Sequence, residues 1–280
     1  MTPWRPRPGH PYLAGAPLLV AHRGGAELAP ENTIEAFRMA VDVWWADMLE
    51  MDVRLTRDGQ VVVIHDPTVD RTTDGTGNVS DLSLEEIRSL DAGYRFTDPG
   101  GAASYRGRGV VIPTLDEVLT AFPAMRINIE AKESAVAGPL AEVVARHGAE
   151  QRVLIAAERE TSRRGARGYP GPWGASARQL KVFWALHWLP GGSPWTPRAD
   201  VFQVPETHGR LRVVTPRFVR AAQRRGIPVQ VWTVNRADDM HRLLDMGVDG
   251  IQTDRPDLLS AVLTERVGRP VPPGLAGDRA

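Results

Sequence analysis

Short runs of aliphatic and β-branched residues alternate with amphipathic stretches along most of the chain. Eight runs have the length and composition of strands: 18–22, 48–53, 126–131, 153–157, 174–177, 201–204, 229–234 and 250–253. Helical periodicity fills 31–43, 114–121, 136–148, 215–226 and 236–246, the first opened by Pro30, whose fixed φ suits an early helical position. Strands that alternate with helices predict parallel pairing with helical crossovers. Eight such units in about 250 residues predict an α/β fold, a (β/α)8 TIM barrel. The run 174–177 carries the weakest strand pattern, since Gly, Ala and Ser are poor strand formers.

One segment departs from the alternation. In "DVRLTRDGQVVVIHD" the pair Asp58-Gly59 stands between two alternating runs, a strong hairpin signal. The hairpin and the Gly- and Thr-rich stretch after it predict a small inserted subdomain over 54–112, placed at the catalytic end because loops after barrel strands emerge there. A two-residue turn at Asp58-Gly59 pairs residues whose numbers sum to 117, which sets Asp52 opposite His65. Residues 1–16 read as an irregular arm, 17–265 as the barrel domain, and 266–280 as a disordered tail, because its Pro, Gly and charged residues leave little to bury.

Composition narrows the function. Lys plus Arg (34) balance Asp plus Glu (34), so no global field recruits nucleic acid or an anionic membrane. Anion recognition must then be local. The absence of Cys excludes disulfides, thiolate metal sites and a cysteine nucleophile. No run approaches the roughly 18 apolar residues of a membrane span, and none has the pattern of a signal peptide. A cytoplasmic location without stable membrane insertion is the expectation.

The chemistry gathers at strand ends. The first strand runs into His22-Arg23-Gly24-Gly25, and both charged side chains cost free energy to desolvate unless an anion repays it. Glu50 and Asp52 are two apart on one strand and share a face. Asn128, Glu130 and Lys132 do the same on the third strand, and Lys132 is one of only two lysines, with Lys181. Three carboxylates converging at a barrel mouth repel one another unless protonated or bound to a cation. Oxygen ligands of this kind suit one divalent cation, Mg²⁺ or Ca²⁺, with Mn²⁺ a further option. Arg23 and Lys132 then offer positive charge to a phosphate.

These residues carry a family resemblance. "AHRGG", "APENTIEAF", "LEMDVRLTRDGQVVVIHDPTVDRTTDGTG", "NIEAK", "VWTVN" and "GVDGIQTDRP" closely resemble the glycerophosphodiester phosphodiesterases over roughly 18–262. The resemblance implies His22 and His65 as the acid/base pair, Glu50, Asp52 and Glu130 as metal ligands, and Arg23 and Lys132 as phosphate holders. It also implies Trp232 in the substrate pocket. Asn32, in the Pro-Glu-Asn-Thr helix start, is a further pocket candidate. One departure stands out: Trp45 occupies a place where the family commonly has Gly, so the helix end there is expected to avoid a positive φ.

The expected reaction is metal-dependent hydrolysis of a small-molecule glycerophosphodiester to sn-glycerol 3-phosphate and an alcohol, with His22 as base and His65 as acid. Water or the neighbouring glycerol hydroxyl can be the nucleophile. Two alternatives are a lysophospholipase D and a non-catalytic phosphodiester- or headgroup-binding module; a phospholipase C on intact lipid is disfavoured. The Trp-rich stretch 182–195, with Trp184, Trp188 and Trp195, packs on the barrel exterior in the first reading and forms a lip for transient lipid contact in the second. Oligomeric state is not legible in the sequence.

Overall fold

In the computed structural model, which describes residues 10–190 and 193–277, Leu18–Ala21 (β1) is buried at all four positions. A strand covered on both faces is apolar throughout. Nine more strands follow: β2 (Met48–Leu55), β3 (Val61–Val63), β4 (Arg126–Ala131), β5 (Val153–Ala156), β6 (Phe202–Pro205), β7 (Thr207–His208), β8 (Leu211–Arg212), β9 (Val229–Trp232) and β10 (Gly250–Thr253). The helices are α1 (Ile34–Arg38), α2 (Leu84–Arg88), α3 (Leu115–Ala121), α4 (Ala137–Arg146), α5 (Glu160–Gly165), α6 (Ala177–Leu186), α7 (Pro216–Gln223), α8 (Ala237–Asp245), α9 (Pro256–Val267) and α10 (Pro273–Ala276).

The sheet runs β5-β4-β2-β1-β10-β9-β6, every neighbouring pair parallel. Between β5 and β6 stand two residues rather than the strand expected over 174–177: Trp173 bridges to Ile155 and Gly174 to Val201, both parallel. The curl is closed by this short link because α6 claims the chain from Ala177 onward, capped by Ser176. Outward side chains such as Leu19, Met51, Ile129 and Val231 join the main core beneath the helices. Inward Leu18, Val20, Met48, Leu154 and Val201 form a separate cluster with Tyr12.

Tyr12 comes from the arm and is 1% exposed; its hydroxyl donates to Met48 Sδ at 3.0 Å. Arg126 fastens the arm by donating to the carbonyls of Tyr12 and Ala14 at 3.2 and 2.6 Å. The end of the barrel opposite the strand C-termini is thereby plugged. The segment expected as a disordered tail is also anchored up to 277: Arg269 pairs with Asp47 at 2.8 Å and donates to the Pro17 carbonyl at 2.5 Å. Specific ion pairing, absent from a compositional reading, makes the difference. Residues 278–280 of that expected tail and 1–9 of the arm lie outside the described residues.

The hairpin register differs from expectation by one residue. Val53 pairs with Val63, Arg54 with Val62 and Leu55 with Val61, so Asp52 lies opposite Ile64, whose N–H donates to the Asp52 carbonyl at 2.9 Å. The turn holds three residues, Arg57-Asp58-Gly59, closed by the Thr56 N–H donating to the Gln60 carbonyl at 3.0 Å. Gly59 sits at φ 77°, the left-handed position that such three-residue loops require. Beyond it, Val62, Ile64, Val69, Val79, Ile87 and Val110 pack in a small apolar cluster of their own.

Trp45 overturns the expectation drawn from the missing glycine, because it adopts φ 52°. A π-helical turn, Met39–Val43, precedes it, and the Ala46 N–H reaches back to the Ala40 carbonyl at 2.9 Å. A side chain in this conformation costs about 1–2 kcal/mol. Trp45→Gly is therefore expected to raise the denaturant midpoint while Trp45→Ala does not. An equal rise in both would assign the effect to loss of the indole, which is 46% exposed, and not to the backbone.

Candidate active site

The parallel registers decide which side chains meet. Ala21 pairs with Thr253, so the next residue on each strand, His22 and Asp254, emerge side by side. His22 Nδ1 lies 2.6 Å from Asp254 Oδ1. Asp254 is itself held by Asn235, whose Nδ2 donates to Oδ2 at 2.8 Å while its Oδ1 accepts the Asp254 N–H at 2.9 Å. With Nδ1 committed as donor to a carboxylate, the imidazole presents Nε2 to the cavity, 3.9 Å from Glu50.

Asp52 pairs with Glu130 and Glu50 with Asn128 across β2 and β4. The register thus stacks Glu50, Asp52 and Glu130 so that one oxygen from each lies within 4.8 Å of the others. Lys132 Nζ touches Asp52 at 2.9 Å and Glu130 at 2.8 Å. Arg23 Nε lies 3.1 Å from Asp52, and the Arg23 N–H donates to Glu50 at 3.0 Å. Two cations facing three carboxylates leave one negative charge over, and it falls on Glu50. Burial first, then the Asp52 charge, push the Glu50 carboxyl up to about 7. Burial also acts on Asp52, but Lys132 and Arg23 outweigh it and hold that carboxyl below its usual value.

This arrangement fits a divalent cation: the donors are hard carboxylate oxygens close enough to share one ion, with a residual charge that an ion would neutralise. Glu50, Asp52 and Glu130 would hold it. His22 has its pKa raised; burial opposes this, and Glu50 and Asp254 outweigh burial.

His65 follows β3 and lines the same cavity as His22, Arg23, Lys132 and Trp232. The slipped register does not remove it from the site, because its main chain is tied back by Arg54 Nε donating to its carbonyl at 2.9 Å. Its Nδ1 lies 2.6 Å from Asp66. Arg71 donates to Asp66 at 2.6 Å, and that bond with the one from His65 holds the Asp66 carboxyl at about 2. Arg71 also forks onto Glu31 at 2.7 and 2.8 Å, and Glu31 accepts from Arg23 at 3.1 Å. The two histidines are thus linked through Arg71, Glu31 and Arg23.

Asn32 takes a different place from the one expected. It is 3% exposed and stands behind Asp52, not among the residues lining the cavity: its Nδ2 donates to Asp52 Oδ2 at 3.1 Å and its Oδ1 accepts the Asp52 N–H at 3.3 Å. Thr33, not Pro30, caps the helix, which frees Asn32 to hold φ 59° and turn inward. The Trp-rich stretch also divides. Trp184 on α6 lines the cavity with Leu180 and Phe218, whereas Trp188 lies past the helix end, 48% exposed beneath the Arg217 guanidinium. Trp195 packs against the main core.

Asp254, Asn235, Asp66, Arg71 and Glu31 were not singled out in the sequence. A signal existed for three of them. Asp66 directly follows His65, and Asn235 and Asp254 close the "VWTVN" and "GIQTD" runs at strand ends, where a histidine's carboxylate partner is to be sought.

Fold and site define the class: a parallel barrel whose C-terminal mouth carries a cation-ready carboxylate cluster between two carboxylate-anchored histidines. The model of the glycerophosphoryl diester phosphodiesterase family matches residues 22–167 and 181–258, and the chain belongs to that family. A glycerophosphodiester phosphodiesterase of Caldanaerobacter subterraneus subsp. tengcongensis is 38% identical over 86% of this chain and 96% of its own length. A probable glycerophosphodiester phosphodiesterase 2 of Mycobacterium tuberculosis is 36% identical over 90% and 92%. The crystal structure of a glycerophosphodiester phosphodiesterase from Agrobacterium tumefaciens superposes with a TM-score of 0.72 at 28% identity, covering 88% of this chain and 99% of that one.

Proposed function

We propose that the protein hydrolyses glycerophosphodiesters to sn-glycerol 3-phosphate and an alcohol, with one divalent cation, Mg²⁺, Ca²⁺ or Mn²⁺, held by Glu50, Asp52 and Glu130. The observation that carries this reading is the pairing of two histidines, each anchored through Nδ1 to a carboxylate, at one cavity of about 500 Å³. Binding alone needs no such pair. Cleaving a diester needs a proton taken from the attacking oxygen and another given to the departing one.

The cation, when bound, neutralises phosphate charge and lowers the pKa of an attacking hydroxyl. Arg23 and Lys132 add positive charge for the non-bridging oxygens. His22, beside the carboxylate cluster and only 16% exposed at its side chain, takes the proton of the nucleophile. His65, at 31%, stands nearer solvent, where the alcohol it protonates departs. Asp254 and Asp66 fix the tautomers and steady each imidazolium as it forms.

Leu180, Trp184, Leu211 and Phe218 give the cavity an apolar side, which supports a second reading in which a lysophospholipid is cleaved as by a lysophospholipase D. No helix among the described residues is long and apolar enough to cross a membrane. Release of sn-glycerol 3-phosphate from glycerophosphocholine and glycerophosphoethanolamine, against release of choline and 1-acyl-sn-glycerol 3-phosphate from lysophosphatidylcholine, separates these readings. The expected result is turnover of the deacylated diesters, with Trp184→Ala changing it less than threefold. Preferential turnover of the lysolipid, lost in Trp184→Ala, would install the second reading; no turnover of any of them with Mg²⁺, Ca²⁺ or Mn²⁺ would leave a non-catalytic binding module.

A further inference from the structure

The floor of the cavity is polar, although barrel interiors are ordinarily filled by branched apolar side chains. Directly above the layer of Leu18, Val20, Met48, Leu154 and Val201, the strands turn amides inward. Gln203 and Gln230 pair, the Gln203 Nε2 donating to the Gln230 Oε1 at 3.2 Å. Asn128 and Gln252 do not. Both are 3% exposed, both line the active-site cavity, and Asn128 Oδ1 and Gln252 Nε2 are each buried without a hydrogen-bond partner.

An unpaired buried amide atom costs free energy, and native interiors rarely carry two in one cavity. Here one is an acceptor and the other a donor. They stand on β4 and β10, separated by β1 and β2 around the barrel, so they address a ligand from different sides.

Their chemistry selects among ligands. An apolar group leaves both atoms unpaired. A second anionic group is repelled by Glu50, the direct strand neighbour of Asn128, and a cation finds only a donor at Gln252. A vicinal diol answers both, since a hydroxyl is donor and acceptor at once: one hydroxyl donates to Asn128 Oδ1, the other accepts from Gln252 Nε2.

We propose that Asn128 and Gln252 form a hydroxyl-reading subsite beneath the phosphate position, selecting substrates with a vicinal diol near the phosphate. The proposal rests on the phosphodiester reading above and adds which residues recognise the polyol. The diol comes either from the glycerol that stays on phosphorus or from a polyol in the departing alcohol.

The test is the selectivity of the full chain and of Gln252→Met, which keeps side-chain length and removes the donor. The readout is kcat/KM for a diol-bearing diester divided by that for bis(4-nitrophenyl) phosphate, which has no hydroxyl. Glycerophosphocholine carries the diol on the glycerol side only, and the methyl diester of inositol phosphate on the other. A fall of about tenfold in the ratio, the size of one lost hydrogen bond to a neutral group, is expected for one of the two, and which one falls identifies the side that is read. Unchanged ratios for both would overturn the subsite.

The melting temperature of Gln252→Met should equal or exceed that of the unaltered chain, because an unpaired donor is removed; a marked drop would make the amide a structural element and overturn the proposal. If the unaltered chain cleaves no diester, the phosphodiester reading fails by itself. Calorimetric binding of sn-glycerol 3-phosphate against ethyl phosphate to the unaltered chain then decides the floor: tighter binding of the diol supports it, and equal binding overturns it.

Discussion

His22→Gln is expected to lower kcat for glycerophosphodiester cleavage by about a thousandfold, within the 10²–10⁴ that a positioned proton carrier contributes, with KM changed only a few-fold. Glutamine preserves bulk and can still meet Asp254, but it has no nitrogen that titrates near neutrality. The loss should therefore appear in kcat and not in binding. Asp254→Asn offers a graded control. The Asp254 carboxylate raises the His22 pKa against burial, so its neutral replacement lowers that pKa and shifts the acid limb of the pH–rate profile to lower pH. An undiminished kcat in His22→Gln would remove His22 from proton transfer.

Chelation of the divalent cation is expected to abolish turnover, and Glu50→Gln to reduce it at least a hundredfold at saturating cation. The same residue predicts a distinct stability signature in the cation-free protein. Its folded carboxyl is pushed to about 7, above the ordinary value near 4.3 of an unfolded chain. Between those two pH values the folded state binds more protons than the unfolded state, so stability falls as pH rises through this window. The span corresponds to on the order of 4 kcal/mol. Asp52, held below its usual value, acts in the opposite sense, and its contribution is lost only in more acidic solution. The melting temperature of the cation-free chain should thus drop from pH 5 to pH 7.5, and Glu50→Gln should flatten that slope. Added Mg²⁺ or Ca²⁺ should raise the melting temperature at pH 7.5 and much less at pH 5, where protons compete for the ligands. A cation-free chain with no such slope would show that Lys132 and Arg23 neutralise the cluster by themselves.

Much of the barrel was legible because parallel strands are covered on both faces and announce themselves as apolar runs, as Leu18–Ala21 and Val153–Ala156 do. The carboxylate cluster was legible for a related reason: Glu50, Asp52 and Glu130 interrupt the strands at positions that face inward. Three features of the fold and one of the site escaped. The register of the β2–β3 hairpin depends on whether the turn holds two residues or three, and Asp58-Gly59 serves both. Trp45 holds a left-handed backbone because the surrounding main chain enforces it, through the Ala46-to-Ala40 bond, and no local preference reveals that. The link at Trp173 and Gly174 is too short to carry a pattern at all. The carboxylate partner of His22 required a tertiary fact, that β10 lies beside β1, before the proximity of Asp254 could be seen.

The plug formed by Tyr12 and the arm bears on traffic. A barrel stoppered at one end is a blind well, so substrate arrives and both products leave by the same door. Whichever product is held the longer keeps the next molecule outside until it goes. Competitive inhibition by that product is then a matter of architecture and not of affinity alone.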